Sequence, residues 1–115
     1  MSRMDAGAAV VAASLVLPSD AVDASQVHAG SPRTGYIDLD ETGERTIGVW
    51  EHTPGVSTDV EADEVFVVVA GSGTLEFTEP ALPPVELRPG VIVRLTEGMQ
   101  TVWAIRETLR KVYVA

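Results

Sequence analysis

Few residues of this chain have side chains suited to chemistry, and they cluster in a few places. Histidine occurs twice, at His28 and His52, and cysteine not at all. His52 ends an alternating run that also carries Trp50, and an imidazole held in a pocket there has the intrinsic pKa for acid–base work. His28 lies in a polar stretch and reads as a surface residue. Four carboxylates crowd residues 59–64, as Asp59, Glu61, Asp63 and Glu64. Three of them read as a solvated acidic loop, whereas Glu64 heads an apolar run and reads as the carboxylate that enters a site. Trp50 and Trp103 offer the aromatic area that walls small-molecule pockets, and equally the bulk that fills a small barrel. Arg94 and Arg106 have the fork geometry that holds a ligand carboxylate, although outward ion pairs are the simpler role for both. No nucleophile elbow, phosphate loop or dinucleotide fingerprint occurs, and Gly71-Ser72-Gly73 reads as a hairpin turn rather than a reactive serine.

The elements that position these residues are short. Apolar runs are broken at regular intervals by Gly, Pro, Asp and Ser, with no long stretch of 3.6-residue periodicity, which predicts an all-β sandwich or barrel. Strands are expected over residues 10–17, 36–39, 46–52, 65–70, 74–78, 91–95, 101–106 and 109–114. Residues 18–34 form an irregular arm, marked by Gly30-Ser31-Pro32. Two units follow: residues 1–34 as an N-terminal strand and arm packed on a barrel, and 35–115 as the barrel itself. Residues 80–84 hold three prolines and predict a stiff hairpin tip, since each proline removes a ladder donor. Alternation places Gly48, Trp50 and His52 on one face and Thr101, Trp103 and Ile105 on one face. The run 65–69 is apolar on both faces, as in a strand covered on both sides.

Composition narrows the function. A chain of 115 residues is one domain, and 45% hydrophobic with 22% charged residues is ordinary for a globular protein. Without cysteine there is no disulfide scaffold and no thiol chemistry. Seventeen acidic against eight basic residues give a net charge of −9. That balance excludes nucleic acid and an anionic membrane surface as partners. The apolar run 8–17 has the length of a signal-peptide core, but Asp5 precedes it and no small-x-small cleavage site follows, so a strand and a cytoplasmic protein are expected.

Two glycine-punctuated stretches then carry a resemblance. Residues 64–71 end in Gly71, and residues 90–101 run Gly-Val-Ile-Val-Arg-Leu-Thr-Glu-Gly-Met-Gln-Thr. They resemble the two cupin motifs, G-x5-H-x-H-x3-4-E-x6-G and G-x5-P-x-G-x2-H-x3-N, with Glu64 and the glycines in register. Counting back from Glu64 puts Thr58 and Val60 at the histidine positions, and counting on from Gly98 puts Thr101 at the third. Residues 48–55, Gly-Val-Trp-Glu-His-Thr-Pro-Gly, and the ending 107–114, Glu-Thr-Leu-Arg-Lys-Val-Tyr-Val, resemble the small cupins of the ethanolamine-utilisation Q type and of ureidoglycine aminohydrolase domains. The resemblance implies a jelly-roll barrel from about Gln26 onward. It also implies a metal site stripped of its ligands, because a catalytic site needs about three competent donors.

Three functions follow as expectations. The first is a metal-free, cofactor-free cupin that binds a small organic molecule through Trp50, His52, Thr58, Glu64, Thr101 and Trp103. The second is an isomerase, epimerase or aminohydrolase using Glu64 and His52 as acid and base. The third is a dimeric scaffold with a filled barrel. The doubly apolar run 65–69 and the run 10–17 predict a homodimer in any of these cases.

Overall fold

A computed structural model describes residues 2–115. Nine strands form one curled antiparallel sheet of jelly-roll type: β1 Asp20–Ala21, β2 Val27–Ala29, β3 Arg33–Glu41, β4 Thr46–His52, β5 Gly55–Val60, β6 Glu64–Glu79, β7 Ala81–Leu87, β8 Ile92–Leu95 and β9 Gln100–Val114. Two short 3₁₀ turns, Ala12–Ser14 and Ala24–Gln26, complete the described secondary structure. No helix among the described residues is long and apolar enough to cross a membrane.

β6 and β9 are the spine. They pair antiparallel along nearly their whole length, from Val65↔Val114 to Glu79↔Gln100. The free edge of β9 is shared by β5 near its start and by β4 near its end. The free edge of β6 is shared by β8 and β7. The expected hairpin at residues 71–73 is therefore not a hairpin: the runs 65–70 and 74–78 are one strand that bends. The bend is a series of register shifts between Val68 and Gly73. Gly71 makes it possible, with φ +85° and so little room that a Cβ would lie 2.0 Å from the Thr108 carbonyl oxygen. Glycine alone tolerates both the positive φ and the contact. Likewise 101–106 and 109–114 are two halves of β9. Of residues 80–84, expected as a hairpin tip, Pro80 lies at the turn between β6 and β7, and the rest belong to β7, which pairs with β6 alone. Pro83 and Pro84 fit there because an edge strand need not donate on its open side.

The N-terminal run 10–17 is not a strand. It holds a 3₁₀ turn with exposed valines on either side, Val11 and Val16 at 68% and 93% exposure. Its backbone bonds a side chain instead of a ladder: Arg110 donates Nη1–H bonds to the carbonyls of Ala12 at 2.9 Å and Leu15 at 2.5 Å. Farther upstream, Asp40 accepts from the Met4 N–H at 2.9 Å and from Arg3 Nε at 3.0 Å, and pairs with Arg45. These donors pull the Asp40 carboxyl down to about 2, the Met4 amide contributing most. Residues 2–20 thus form a strap across the outer face of β3, β4 and β9.

The core lies inside the curl. Phe66, Val68, Leu75, Leu87, Val93, Leu95, Trp103, Ile105 and Leu109 form one buried cluster. Each such side chain contributes about 2 kcal/mol by leaving water. The core fills one end of the barrel, and the opposite end is polar.

Candidate functional site: the polar end of the barrel

Strand register decides which residues reach the barrel interior. Across β5 and β9, Ser57 pairs with Trp103 and Asp59 with Thr101, while Thr58 pairs with Val102 and Val60 with Gln100. Trp103 and Thr101 are buried at 2% and 1% exposure, so the Ser57–Asp59 side is the inner one. Thr58 is consequently misplaced in the expected site. Its hydroxyl donates to the Gln26 carbonyl at 3.4 Å, under the N-terminal arm. The longer of the two spacings the cupin motif allows puts Ser57 and Asp59, not Thr58 and Val60, at the histidine positions, and these are the residues that face inward.

On the other side of the curl, Tyr36 pairs with Trp50 and Trp50 with Lys111, and Asp38 pairs with Gly48 and Gly48 with Tyr113. Gly48 makes space in that row, since a Cβ there would lie 2.2 Å from the Tyr113 hydroxyl oxygen. Tyr113 uses the space to donate to Asp38 Oδ1 at 2.5 Å. Burial, with the Asp38 bond, holds the phenol in its neutral form.

Lys111 is the centre of the site. It is the chain's sole lysine, it is 4% exposed, and its ammonium donates to Glu64 Oε2 at 2.8 Å. The same nitrogen lies 4.6 Å from the Trp50 ring centre, 4.4 Å from Phe66 and 4.8 Å from Trp103. A protein-borne cation therefore sits in an aromatic cage with one carboxylate partner.

Glu61 is the second buried ionisable group, at 7% exposure. Its Oε2 accepts from the Thr101 hydroxyl at 2.6 Å and from Trp103 Nε1–H at 3.0 Å. Burial raises its pKa, the Asp59 charge adds to the rise, and the two hydrogen bonds and Lys111 oppose it. Asp59 is raised as well, again chiefly by burial.

His52 is elsewhere. It is 1% exposed, with Nδ1 at 2.6 Å from the Thr53 carbonyl and Nε2 at 2.8 Å from Ser57 Oγ. The carbonyl can only accept, so Nδ1 carries the proton and Nε2 accepts from the serine hydroxyl. Burial lowers its pKa and keeps it neutral.

These groups border an open cleft of about 360 Å³ lined by Tyr36, Asp38, Trp50, Asp59, Glu61, Glu64, Trp103, Lys111 and Tyr113, together with Thr46 and Ala115. Of the expected residues, Trp50, Glu64 and Trp103 line it. Thr101 stands behind Glu61, whereas His52 and Thr58 face a smaller recess beneath residues 21–26. The two tryptophans pack on each other at 5.1 Å between ring centres, so the cleft opens beside them rather than between them. Arg94 is exposed, and Arg106 pairs with Glu86 on the surface at 2.8 Å, so neither turns inward. Asp63 is a loop acid that accepts from the Glu97 N–H.

The donor set does not suit a cupin transition metal. The ligand positions hold Ser57, Asp59, Glu64 and Thr101. Ser57 bonds His52, Thr101 bonds Glu61, and Glu64 bonds an ammonium that repels a further cation at that spot. Among the described residues no group of three His, Asp or Glu side chains could hold a metal ion.

Residues 39–113 match the EutQ-like cupin domain. Several solved structures share the fold. A Pseudomonas syringae pv. tomato protein of unknown function aligns over 88% of this chain with TM-score 0.71 and 21% identity. The EutQ protein of Clostridium difficile aligns over 83% with TM-score 0.63 and 18% identity. A Rhizobium leguminosarum protein of unknown function aligns over 70% with TM-score 0.61 and 26% identity. The chain spans 44% of the first, 74% of the second and 78% of the third. No curated protein matches it in sequence.

Proposed function

The chain belongs to the EutQ-like cupin domain family, and from that premise we propose that it binds a small organic molecule in the barrel cleft without a transition metal. The observation that carries this reading is the cleft itself. It measures about 360 Å³, is open to solvent, and combines aromatic walls with a few convergent polar groups. That is the size and make-up of a small-molecule site. Lys111 donates to Glu64, the carboxylate that the cupin motif assigns to its metal site, and Glu64 neutralises it.

Two other readings have less behind them. An acid–base enzyme built on Glu64 and His52 needs those groups to converge, but Glu64 is tied to Lys111 and His52 to Ser57 and Thr53. A solid scaffold needs a filled barrel, and the open cleft lends that reading no support.

The test is a thermal-shift screen of small metabolites on protein stripped of metal by chelator. A true ligand at about a hundred times its Kd stabilises the fold by about 2.7 kcal/mol. Trp50→Ala should remove the shift. Loss of binding on chelation, restored by manganese, iron, nickel or zinc, would sink the metal-free reading.

A further inference from the structure

We infer that the ligand of this cleft is an organic ammonium, a protonated amine of a few carbons whose charged end rests against Glu61 and Asp59. The inference rests on the binding reading above and adds the chemical class to it.

Three observations converge. The first is charge. Asp38, Asp59, Glu61 and Glu64 line the cleft against a single base, Lys111, and that base is already paired with Glu64. A carboxylate ligand would have to displace Glu64 and approach the other acids, whereas a cation meets complementary charge. The second is an unused acceptor. Glu61 is 7% exposed and both of its hydrogen bonds go to Oε2. Oε1 has no partner among the described residues and is not fully buried, and Glu61 lines the cleft. An N–H donor is what such an atom lacks. The third is the wall. Tyr36, Trp50 and Tyr113 present ring surface to the same space, and aromatic faces attract ammonium groups. The barrel already demonstrates the chemistry on itself, holding the Lys111 ammonium among three rings and one carboxylate.

The protonation states agree with this arrangement. The Asp59 charge adds to the rise in the Glu61 pKa, and an ammonium beside the two carboxylates favours their ionised forms.

The experiment compares three probes of one shape, n-butylammonium, n-butanol and butyrate, by calorimetric titration at pH 7 with tryptophan fluorescence as a second readout. The expected result is saturable binding of n-butylammonium at least tenfold tighter than either other probe. Glu61→Gln should weaken it at least tenfold. Asp59→Asn should weaken it several-fold. Equal or tighter binding of butanol or butyrate, abolished by Trp50→Ala, would overturn the ammonium class while keeping a ligand site in the cleft. Binding of none of the three would overturn the ammonium inference; a metabolite from the wider screen that still gave a Trp50-dependent shift would leave the cleft as a site, and its absence would take both readings down.

Discussion

Lys111 and Glu64 have side chains only 5% and 16% exposed, and their 2.8 Å contact places an ion pair inside a barrel. Such a pair adds little net stability over an apolar pair, yet breaking it leaves an uncompensated charge. Lys111→Met is therefore expected to cost about 3–5 kcal/mol in urea unfolding, and adding Glu64→Gln to recover the larger part of it. Additive losses in that double-mutant cycle would mean that the two residues do not act as a pair. Glu61 gives a prediction in pH. Its folded pKa is raised, so the folded state holds the proton more tightly than the unfolded chain, whose value is near 4.5. The contribution is fully present below that value and is lost as pH rises through the folded pKa. Glu61→Gln should match the parent below pH 4.5 and gain on it progressively above, in a series of chemical melts. A constant difference across pH would remove the buried carboxylate from the account. These residues also mark where the sequence is opaque. Trp50 and Trp103 were legible from alternation, because both lie in strands whose period is strict. Glu61 was hidden in an acidic run that resembles a solvated loop, and only the β9 donors Thr101 and Trp103 make it an interior group. The motif spacing leaves a one-residue ambiguity between Thr58 and Ser57, and in a strand one residue exchanges the two faces. The sole lysine, at an inward position between Leu109 and Tyr113, was the signal available for the cage.

At the scale of elements, the all-β class and the course of β4 and β8 followed from pattern, but the two longest strands did not. Glycine clusters mark hairpins and bulges alike, and nothing local separates a turn at Gly71 from a bend. What decides it is the partner: β6 and β9 bend together, and Thr108 comes within reach of Gly71. Gly71→Ala is thus expected to destabilise by about 2 kcal/mol or more, because strain at positive φ adds to a clash that neither backbone can relieve. A neutral effect in thermal unfolding would show that the bend is soft. The N-terminal arm packs on the barrel as a strap rather than as a strand for a different reason. Residues 10–17 have the apolar character of a strand, but they pair with no strand of the sheet, and Arg110 takes up their carbonyls instead. Arg110 also pairs with Glu51 at 2.9 Å. Arg110→Ala should leave the barrel folded and free residues 2–20, raising amide exchange there by at least an order of magnitude, since charged hydrogen bonds of this kind contribute about 1.5–3 kcal/mol each. Exchange that rose equally in β6 and β9 would show that the strap is part of the barrel's own cooperative unit.

At the scale of the whole molecule, the outer face of the spine is unusually apolar for a surface. Two cross-strand rows run over β8, β6, β9 and β4: Arg94, Val65, Val114 and Ile47 in one, and Ile92, Val67, Val112 and Val49 in the other. Val49 is buried, at 0% exposure, but Ile92, Val65 and Val114 remain 69%, 42% and 43% exposed. The 3₁₀ turn Ala12–Ser14 packs beside this face against β6 and β9, with Val10 and Val11 exposed next to it. A single small barrel cannot bury such a patch, and a self-complementary sheet face favours a closed twofold pair. A net charge of −9 opposes association, so the face must be apolar enough to overcome that repulsion in the dimer. We expect a homodimer of twice the 12.2 kDa chain mass in light scattering, with the cleft, which opens on the inside of the curl, left accessible. Ile92→Lys combined with Val65→Thr should give a monomer at micromolar concentration. Because both positions already face water in the isolated barrel, that monomer should keep its β-sheet circular dichroism and its ligand response. A parent protein that scatters as a single chain would overturn the dimer, and a dimer untouched by these two substitutions would move the interface to another face.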